Sequence, residues 1–530
     1  MPVCPDERFS EKGRTGIIQG ERMGKLTETF FHHAERNPDK PAIWCEGSVI
    51  SYGKLADLVK RWASGFLREG MKRGDAIGVI LPNSIEFVAL MLVAADLGVI
   101  LAPLNSTLPV SAIHGAFRAA GVRHVVAKSE CLQNLRSEKS CDFSAMDGIW
   151  LSLDEPVPGC RTLAALLSDV VPEERASFSQ DEDPFIMTMT SGSTGEPKPI
   201  VLTQGTKVKR ALAAVELYNL KNTDRILAAT PLYHSLAERL VLVPLLLGGT
   251  SVLMSRYSPA EWIRCVSEQA VSFTIAVSSQ LRQLAQQLAD DTKVEKVGSL
   301  RCIVASSEQL EPHVKAALLS KLRCEFHECY GTSEVAVATN LNHGADLKKL
   351  SSVGKPAPGV EIRILREDHT MADPGEPGEI VCRTPLVFSG YFKLPELTKG
   401  AFWGEFFRTG DLGKLDEDGF LYFLGRKKDI IITGGINVYP RDIESVLVQH
   451  PSVLECAAFP LPDENLGEIV AVAVVPRSPT ECDQRKLRNH CAEHLADFQQ
   501  PRKFFFLAEL PKSGVGKIAK RLLPGICQGK

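Results

Sequence analysis

The sequence predicts an α/β protein in which a large N-terminal region, built on parallel sheets, precedes a β-rich subdomain and a small α+β module. Three observations support this prediction. Up to residue 306, short apolar runs alternate with amphipathic segments of helical length, as in parallel sheets covered by helices. From residue 350 the runs are short and separated by Gly, Pro and Asp turns, which indicates a small β-rich subdomain. After residue 428, strand-like and helix-like segments alternate again.

Hydrophobic periodicity places the individual elements. Residues 25–37 and 53–69 have the spacing of amphipathic helices, and the segment between them predicts a hairpin that turns at Gly47. The apolar segment 83–98 predicts a buried helix between the strands AIGVILP and GVILAPL, a β-α-β unit. The series continues with strands at 124–128, 251–255, 273–277 and 300–306 and a helix at 259–269. Later strands are predicted in GVEIRIL, GEIVCRT, FLYFLG and DIIITGG.

Composition excludes several classes of protein. The 530 residues are 44% hydrophobic and 24% charged with a net charge of −3, so no broad basic surface for nucleic acid is expected. The longest apolar region is interrupted by Asp96 and Pro103 and is too short to cross a bilayer. The polar N-terminal tail, residues 1–24, does not resemble a secretory signal. Without CxxC or HExxH motifs, the sequence predicts reduced thiols and no structural metal in a cytoplasmic protein.

The segment TMTSGSTGEPKPIVLTQG, residues 188–205, places Ser, Thr and Gly around Lys198 between two β-branched runs. Pro197 and Pro199 exclude a helix directly after the Gly-rich part, so the segment predicts a hairpin tip rather than a nucleotide P-loop. Unshielded backbone N–H groups, hydroxyls and one cation suit a phosphate group. From spacing alone, a phosphate-binding loop and an ordinary flexible turn both remain open.

Four further motifs follow along the chain: CYGTSE (329–334), FRTGD (407–411), GRKKD (425–429) and PKSGVGKIAKRLL (511–523). FRTGD is predicted to end a strand with an isolated carboxylate, that of Asp411. Each alone is consistent with an ordinary turn or a solvated charge. In this order, and together with SGSTGEPK and GEIVCRTPLVFSGY, they resemble the adenylate-forming superfamily. This superfamily comprises acyl- and aryl-CoA synthetases, adenylation domains of peptide synthetases, and luciferases. The resemblance extends from residue 25 to residue 523.

The resemblance implies a domain arrangement and a reaction. An N-terminal AMP-binding domain would cover residues 25–425, with the β-rich part at about 350–425, a hinge at 426–428 and a mobile C-terminal lid at 429–530. ATP would bind between the domains with Mg²⁺. A carboxylate would attack the α-phosphate to give an acyl adenylate and pyrophosphate, and CoA, as co-substrate, would then take the acyl group and release AMP. The implied protein is a monomer or homodimer.

The resemblance also assigns roles to the nucleotide-site residues. Tyr330 would lie against the adenine, Asp411 would accept the ribose hydroxyls, and Ser333 would bond the α-phosphate. Glu334 would be the catalytic metal ligand for Mg²⁺, and Lys517 would bridge the carboxylate and the α-phosphate. The complete implied ATP site is Thr190, Ser191, Gly192, Ser193, Thr194, Gly195, Lys198, Ser307, Glu308, Gln309, Tyr330, Gly331, Thr332, Ser333, Asp411, Phe423, Arg426 and Lys517.

The acid and CoA sites are implied less uniformly. His234, predicted as a catalytic gate residue, would line an acyl pocket with Ser235, Ala237 and Ser278. Lys428 would be the hinge residue, and Gly434 and Gly435 would line the CoA tunnel. The sequence departs from the family pattern at several positions. Pro199 replaces a Gly, Gln204 replaces a His, and the charged pair Glu238–Arg239 replaces apolar residues.

For Glu238 and Arg239 we expect mutual pairing outside the pocket, with contact between Arg239 and a polar or second carboxylate group of the substrate as the alternative. Because the segment has no Asp for an amino group, fatty and aromatic acids are favoured over amino acids.

Two alternative functions are kept beside the CoA ligase. One is a freestanding adenylation enzyme that loads a carrier protein, although the chain ends soon after Lys517 without a carrier domain. The other is a non-catalytic nucleotide-binding relative, which the presence of Lys517, Glu334 and Asp411 disfavours.

Overall fold

The computed structural model describes residues 26–144, 146–172, 179–191, 197–308, 310–478, 482–512 and 518–529. Its α-helices are α1 Leu26–Arg36, α2 Tyr52–Arg68, α3 Ile85–Leu97, α4 Val110–Ala119, α5 Ser129–Ser137, α6 Leu163–Leu167, α7 Gln204–Leu217, α8 Ser235–Leu247, α9 Pro259–Glu268, α10 Ser278–Gln287, α11 Asp291–Lys296, α12 Pro312–Lys321, α13 Pro395–Gly400, α14 Pro440–Leu447, α15 Gln484–His494 and α16 Leu523–Cys527. Short 3₁₀ turns lie at Leu347–Lys349, Lys427–Asp429, Asp497–Gln499 and Lys520–Leu522. No helix within these ranges is both long and apolar enough to cross a bilayer.

The strands of the same residues fall into four sheets. They are β1 Pro41–Cys45, β2 Ser48–Ser51, β3 Ala76–Ile80, β4 Ile100–Pro103, β5 His124–Ala127, β6 Trp150–Ser152, β7 Arg161–Thr162, β8 Pro184–Ser191, β9 Pro197–Thr203, β10 Arg225–Ala228, β11 Thr250–Leu253, β12 Phe273–Val277, β13 Cys302–Ser306, β14 Glu325–Thr332, β15 Ala336–Asn342, β16 Lys355–Pro356, β17 Glu361–Leu365, β18 Gly378–Arg383, β19 Gly390–Tyr391, β20 Phe402–Trp403, β21 Phe406–Leu415, β22 Leu421–Arg426, β23 Ile431–Thr433, β24 Ile436–Val438, β25 Val453–Asp463, β26 Gly467–Pro476 and β27 Lys503–Phe506.

Two of the sheets are mainly parallel, as the strand–helix alternation predicted. One has the order β16-β15-β14-β13-β12-β10-β11-β1-β2 and is parallel from β14 to β1. The other has the order β19-β9-β8-β4-β3-β5-β6-β7 and is parallel from β8 to β7. The antiparallel strands lie at the ends of both orders. Three of the antiparallel pairs, β1–β2, β8–β9 and β14–β15, are joined by hairpins rather than crossover helices, whereas β19 returns to β9 from a distant part of the chain.

The helix α3 is apolar on almost every side and lies in one hydrophobic cluster with strands of both sheets. α3 is buried from Phe87 to Leu97, begins at the Ser84 cap and ends at Gly98, whose φ is +66°. This confirms the buried helix predicted for 83–98. Each fully buried apolar side chain contributes about 1.5–3 kcal/mol relative to an exposed one, so the packing of α3 is a large stabilising contribution to the contact between the sheets.

The later residues form the β-rich part and the α+β module that the sequence predicted, and their sheets are antiparallel apart from one strand pair. The β-rich part has the order β17-β18-β21-β20 with β22 beside β21, and the C-terminal sheet has the order β24-β23-β26-β25 with β27 parallel to β26. One prediction was wrong in detail. FRTGD does not end a strand, because β21 continues to Leu415 between β18 and β22, and Asp411 therefore lies within a sheet at 2% exposure.

Gly354 connects the first sheet to the β-rich part, since its carbonyl accepts the N–H of Leu421. Its φ is +91°, and a Cβ there would lie 2.1 Å from the backbone of Asn340. We expect Gly354→Ala to lower the free energy of unfolding by about 1–3 kcal/mol through backbone strain and displacement. Denaturant midpoints measure this effect.

The matched control is Gly115→Ala. Gly115 lies within α4, and nothing lies within 4 Å of a Cβ built there. This change should be neutral or stabilise the helix by up to about 1 kcal/mol. Equal midpoints for the two variants would contradict the close-approach explanation of Gly354.

Candidate active site

The predicted phosphate loop joins two antiparallel strands, as the two prolines indicated. β8 and β9 pair up to Thr190 opposite Lys198 and Ser191 opposite Pro197, so both strands lead directly to residues 192–196. Gln204 begins α7 and donates from Nε2 to Ala95 O at 2.7 Å, which gives this departure from the family pattern a structural role. The predictions for Gly192, Ser193, Thr194, Gly195, Gln309 and Lys517 lie outside the described residues.

Three strands from two sheets bring four of the predicted ATP-site residues together. The phenol of Tyr330 on β14 donates to Asp411 Oδ2 on β21 at 2.9 Å. Arg426 on β22 is the register partner of Asp411, with Nε 3.1 Å from Oδ1. The ring of Phe423, also on β22, has its centroid 5.8 Å from that of Tyr330. Burial, with Asp411 adding to it, raises the pKa of Tyr330 well above its ordinary value, so the phenol stays a neutral donor.

Backbone geometry explains the glycine after Tyr330. The β14–β15 pairing shifts register between Tyr330 and Gly331. A Cβ at Gly331 would lie 1.7 Å from Ala336 O, so only glycine fits this bulge. The next residue, Thr332, has a buried Oγ1 without a hydrogen-bond partner among the described residues. A polar atom in this state suits a ligand contact.

Ser333 and Glu334 follow in a turn that is fixed from behind. Arg210 on α7 donates to Ser333 O at 2.9 Å and to Glu334 O at 2.7 Å. The Glu334 carboxylate accepts the phenol of Tyr391 at 3.2 Å through Oε1. Glu334 is half-buried, and a carboxylate of this kind fits the hard-oxygen preference of Mg²⁺. The sequence reasoning missed Arg210 and assigned no role to Tyr391, although Tyr391 ends the motif GEIVCRTPLVFSGY.

The segment predicted at the other adenine face follows β13. Ser307 has a φ of +83°, an uncommon value for a residue with a side chain. Ser278, which is also predicted in the acyl pocket, donates to the carbonyl of Glu308 at 2.5 Å, and Arg282 lies 3.3 Å from the Glu308 carboxylate. These contacts hold the segment from the side of α10.

A buried charge cluster, which the sequence reasoning missed, contacts the chain just after this segment, at Leu310. Glu328 accepts the N–H of Leu310 at 3.0 Å and lies 2.5 Å from Lys315 Nζ and 3.5 Å from His343 Nε2. Burial opposes ionisation of Glu328 most strongly, but His343 and Lys315 hold the pKa of its carboxyl below the ordinary value. Lys315 lies on the otherwise apolar buried face of α12. A lysine at such a position is the one sequence pattern that could have indicated a buried ion pair.

The predicted acyl-pocket residues lie at the start of α8 and of α10. His234 precedes α8 and is half-buried with Ser235, whereas Ala237 and Ser278 are fully buried. The rings of Tyr233 and His234 contact each other at 4.3 Å between centroids. His234 is therefore at the N-terminus of the helix and not within it.

The expected pairing of Glu238 with Arg239 outside the pocket is wrong. Glu238 is fully buried and forms its ion pair with Lys207 of α7, and Arg239 is only 7% exposed. Consecutive residues of a helix point in different directions, so the side chains of Glu238 and Arg239 do not face each other. The charges therefore lie between α7 and α8 in the interior.

The predicted hinge and tunnel residues lie in short turns. Lys428 is exposed in the 3₁₀ turn Lys427–Asp429. Gly434 and Gly435 form the two-residue turn between β23 and β24, with φ values of +59° and +80°. This is the left-handed conformation that tight hairpins require, so the turn alone explains both glycines.

One contact connects the C-terminal residues to the predicted adenine site. Arg441 of α14 has its guanidinium carbon 5.4 Å from the ring centroid of Phe423. Burial lowers the pKa of Arg441, consistent with its partly enclosed position.

Comparison with known proteins gives consistent matches over nearly the whole chain. Residues 30–392 match the family described as AMP-binding enzyme, and residues 442–517 match the AMP-binding enzyme C-terminal domain. Sulfoacetate–CoA ligase of Cupriavidus necator is 30% identical, with 94% of this chain and 97% of the relative covered. Indoleacetate–CoA ligase of Aromatoleum aromaticum is 29% identical, with the same two coverages.

Solved structures agree. ATP-bound MatB from Rhodopseudomonas palustris has a TM-score of 0.85 at 26% identity, covering 95% of this chain and 98% of that one. O-succinylbenzoate coenzyme A synthetase from Bacillus subtilis, in complex with ATP and magnesium ion, has a TM-score of 0.81 at 26% identity, covering 93% and 98%. Both carry the mixed α/β fold with a large N-terminal and a smaller C-terminal domain.

We expect Glu328→Gln to destabilise the protein by about 3–5 kcal/mol, because it leaves Lys315, which is fully buried, without a counter-charge. ATP affinity should fall as well, since the segment at Leu310 loses its charged acceptor. Denaturant unfolding and nucleotide titration measure the two effects. Because the folded pKa of Glu328 lies below its ordinary 4.5, the contribution is present at neutral pH and is lost as pH falls below that value.

The matched control is Asp291→Asn, which removes an ion pair to Lys321 whose side chains are 84% and 34% exposed. Its effect on the free energy of unfolding should stay within about 1 kcal/mol. A similar loss in both variants would refute the special role of the buried cluster.

Proposed function

The chain belongs to the AMP-binding enzyme family and is an AMP-forming acyl-CoA ligase that uses ATP, Mg²⁺ and CoA, and from this premise we propose that its acid is a fatty or aromatic carboxylic acid. The observation that supports the nucleotide roles most is the meeting of Tyr330, Asp411, Phe423 and Arg426 on β14, β21 and β22. A flat aromatic surface beside a buried carboxylate suits an adenosine.

In this proposal, Tyr330 and Phe423 contact the adenine while Asp411 accepts the ribose hydroxyls. A buried carboxylate whose remaining acceptor capacity faces two hydroxyls orients the sugar strongly, because each hydrogen bond is charge-assisted. Arg426 lies against the same carboxylate and keeps it ionised and in place. Thr332, with its buried hydroxyl, and Ser333 are assigned to the α-phosphate.

The phosphates and the metal are assigned to the loop side. The backbone N–H groups and hydroxyls from Thr190 to Gly195, with Lys198, would hold the β- and γ-phosphates. Glu334 would hold Mg²⁺, which supplies charge neutralisation at the phosphates when bound. Tyr391 and Arg210 fix the carboxylate and backbone of Glu334, so the turn keeps its shape as charge changes nearby.

Lys517 is assigned to the acid-activation step. The acid carboxylate and the α-phosphate repel each other, and an amine between them lowers the cost of their approach. The acid itself would enter beside His234 and Ser235 at the start of α8. The relatives act on acids as different as sulfoacetate, indoleacetate and long-chain fatty acids, so their names support a carboxylic acid without selecting one.

For the domains we propose an AMP-binding domain at 25–425, a hinge at 426–428 centred on Lys428 and a C-terminal lid at 429–530. Support comes from the separate C-terminal sheet and from the family match, which resumes at residue 442. Gly434 and Gly435 lie at the tip of a hairpin in this lid, where CoA would pass after rotation.

ATP–pyrophosphate exchange across a panel of fatty and aromatic acids tests the proposed function. Exchange should appear with at least one acid in the wild type and be lost in Lys517→Ala, while this variant still converts preformed acyl adenylate and CoA to thioester. Equal loss of both half-reactions would refute the role of Lys517. No exchange with any acid of the panel would refute the proposed substrate class.

The hinge assignment predicts a different split between the half-reactions. Lys428→Pro should leave pyrophosphate exchange nearly intact and slow thioester formation at least about tenfold, because proline fixes φ and restricts the preceding residue. Lys428→Ala removes the same side chain without this restriction and should form thioester at nearly the wild-type rate. Thioester formation unchanged by proline would contradict the hinge.

A further inference from the structure

Arg239 is a buried cation whose charge is not compensated by a direct partner. It lies on α8 at 7% exposure, and its Nε is buried without a hydrogen-bond acceptor among the described residues. No ion pair of its guanidinium is recorded within those residues either. Buried charges in proteins are normally paired, because desolvation of an isolated ion is costly. An arginine in this state therefore points to an anion that the protein alone does not supply.

The surroundings of Arg239 add positive charge. Lys207 and Arg210 of α7 face the same space, and of these Lys207 is paired with Glu238. Arg210 is 3% exposed, and its guanidinium donates hydrogen bonds to three backbone carbonyls, those of Leu386, Ser333 and Glu334. Burial and the nearby Arg239 lower the pKa of Arg210 to about 9, which leaves it charged at neutral pH.

The charges do not balance. Three cations, Lys207, Arg210 and Arg239, stand against one fully buried carboxylate, that of Glu238. A second carboxylate, that of Glu334, also acts on the charge of Arg210. It is already hydrogen-bonded to Tyr391 and is assigned above to Mg²⁺.

A small cavity joins the two arginines. It has a volume of about 30 Å³ and is lined by Arg210 and Arg239, with Tyr218 and apolar residues completing its walls. A water-sized group needs about 10–15 Å³ of such space, so two oxygens of one acidic group fit. Glu216 also lines the cavity, but it is exposed and forms no recorded ion pair with either arginine, so it lies at the outer rim.

The cavity is close to the predicted reaction centre. Arg210 contacts the carbonyls of Ser333 and Glu334, and Ser333 is the residue assigned to the α-phosphate. Arg239 is five residues after His234, on the helix that begins at the predicted acyl pocket. Five residues of helix rise roughly 7.5 Å, so an acid with a body of a few carbons has the length to span the separation of His234 and Arg239 along the helix axis.

We propose that Arg210 and Arg239 form a subsite for a second anionic group, a carboxylate or sulfonate, at the far end of the acid substrate. This inference rests on the proposed function and narrows its substrate class to acids with two negative charges. Guanidinium groups match such planar or trigonal oxyanions with paired hydrogen bonds. A water molecule in the cavity would satisfy Nε but would leave the charge imbalance unchanged.

Matched acid pairs test the subsite: hexanoate against adipate, and phenylacetate against 1,4-phenylenediacetate. In ATP–pyrophosphate exchange the wild type should favour the doubly charged acid of each pair by at least about tenfold in kcat/KM. Arg239→Met keeps an unbranched apolar side chain and removes the guanidinium with its charge. It should lower kcat/KM for the doubly charged acids at least about tenfold and leave the singly charged acids unchanged or improved.

Two controls separate this effect from misfolding. Arg264→Met removes an exposed arginine of α9 that pairs with Glu261 and Glu268, and it should not change the preference. Arg239→Lys keeps a charge and should retain part of the preference. The melting temperature of Arg239→Met should be equal to or higher than that of the wild type, because an uncompensated buried charge is removed. A much lower melting temperature would contradict the charge imbalance.

The remaining outcomes overturn the proposal in distinguishable ways. Equal kcat/KM for both members of each pair would exclude the subsite. Stabilisation of the wild type but not of Arg239→Met by sodium sulfate, without a preference for doubly charged acids, would assign the cavity to a dissolved anion. If no acid supports exchange, the proposed function fails. The thermal shift produced by adipate in wild type against Arg239→Met then decides the subsite on its own, since no shift would exclude it.

Discussion

The hydrogen bond from Tyr330 to Asp411 is the interaction on which the site depends. It joins β14 of the nine-stranded sheet to β21 of the β-rich part, at the place where apolar residues of the two units share one hydrophobic cluster. An aromatic ring and a carboxylate can face one adenosine only if these sheets keep their register. Gly331 and Gly354 serve the same end, because each allows backbone to approach where a Cβ would collide.

Around this bond the protein places charge in its interior, which is costly. The cluster of Glu328, Lys315 and His343 and the pair Lys207–Glu238 are almost completely buried. Apolar residues of similar size would give equal or greater stability at such places, so these charges are better explained by what they position. Glu328 holds the segment at Leu310, and the α7 charges lie behind the turn of Glu334.

Periodicity and turn chemistry were sufficient to predict most elements, because α3, the parallel strands and the hairpin of β8 and β9 follow local rules. The meeting of Tyr330 with Asp411 could be expected only through the family resemblance, since 81 residues separate them. Long-range pairing leaves no local pattern. For the same reason the role of Glu328 could not be predicted. The predicted partner of Glu238 was wrong because the sequence does not show which neighbouring helix a charged residue faces.

The contact of Arg441 with Phe423 has a thermodynamic consequence. The ring is shared between the C-terminal residues and the place assigned to adenine, so binding there and docking of α14 are linked. Linkage is reciprocal: if a nucleotide strengthens docking by some factor, docking strengthens nucleotide affinity by the same factor. A cation–π contact of about 0.5–2 kcal/mol sets the scale at roughly 2- to 30-fold. Release of AMP and undocking of the C-terminal residues would then favour one another, and this coupling would need no other conformational change.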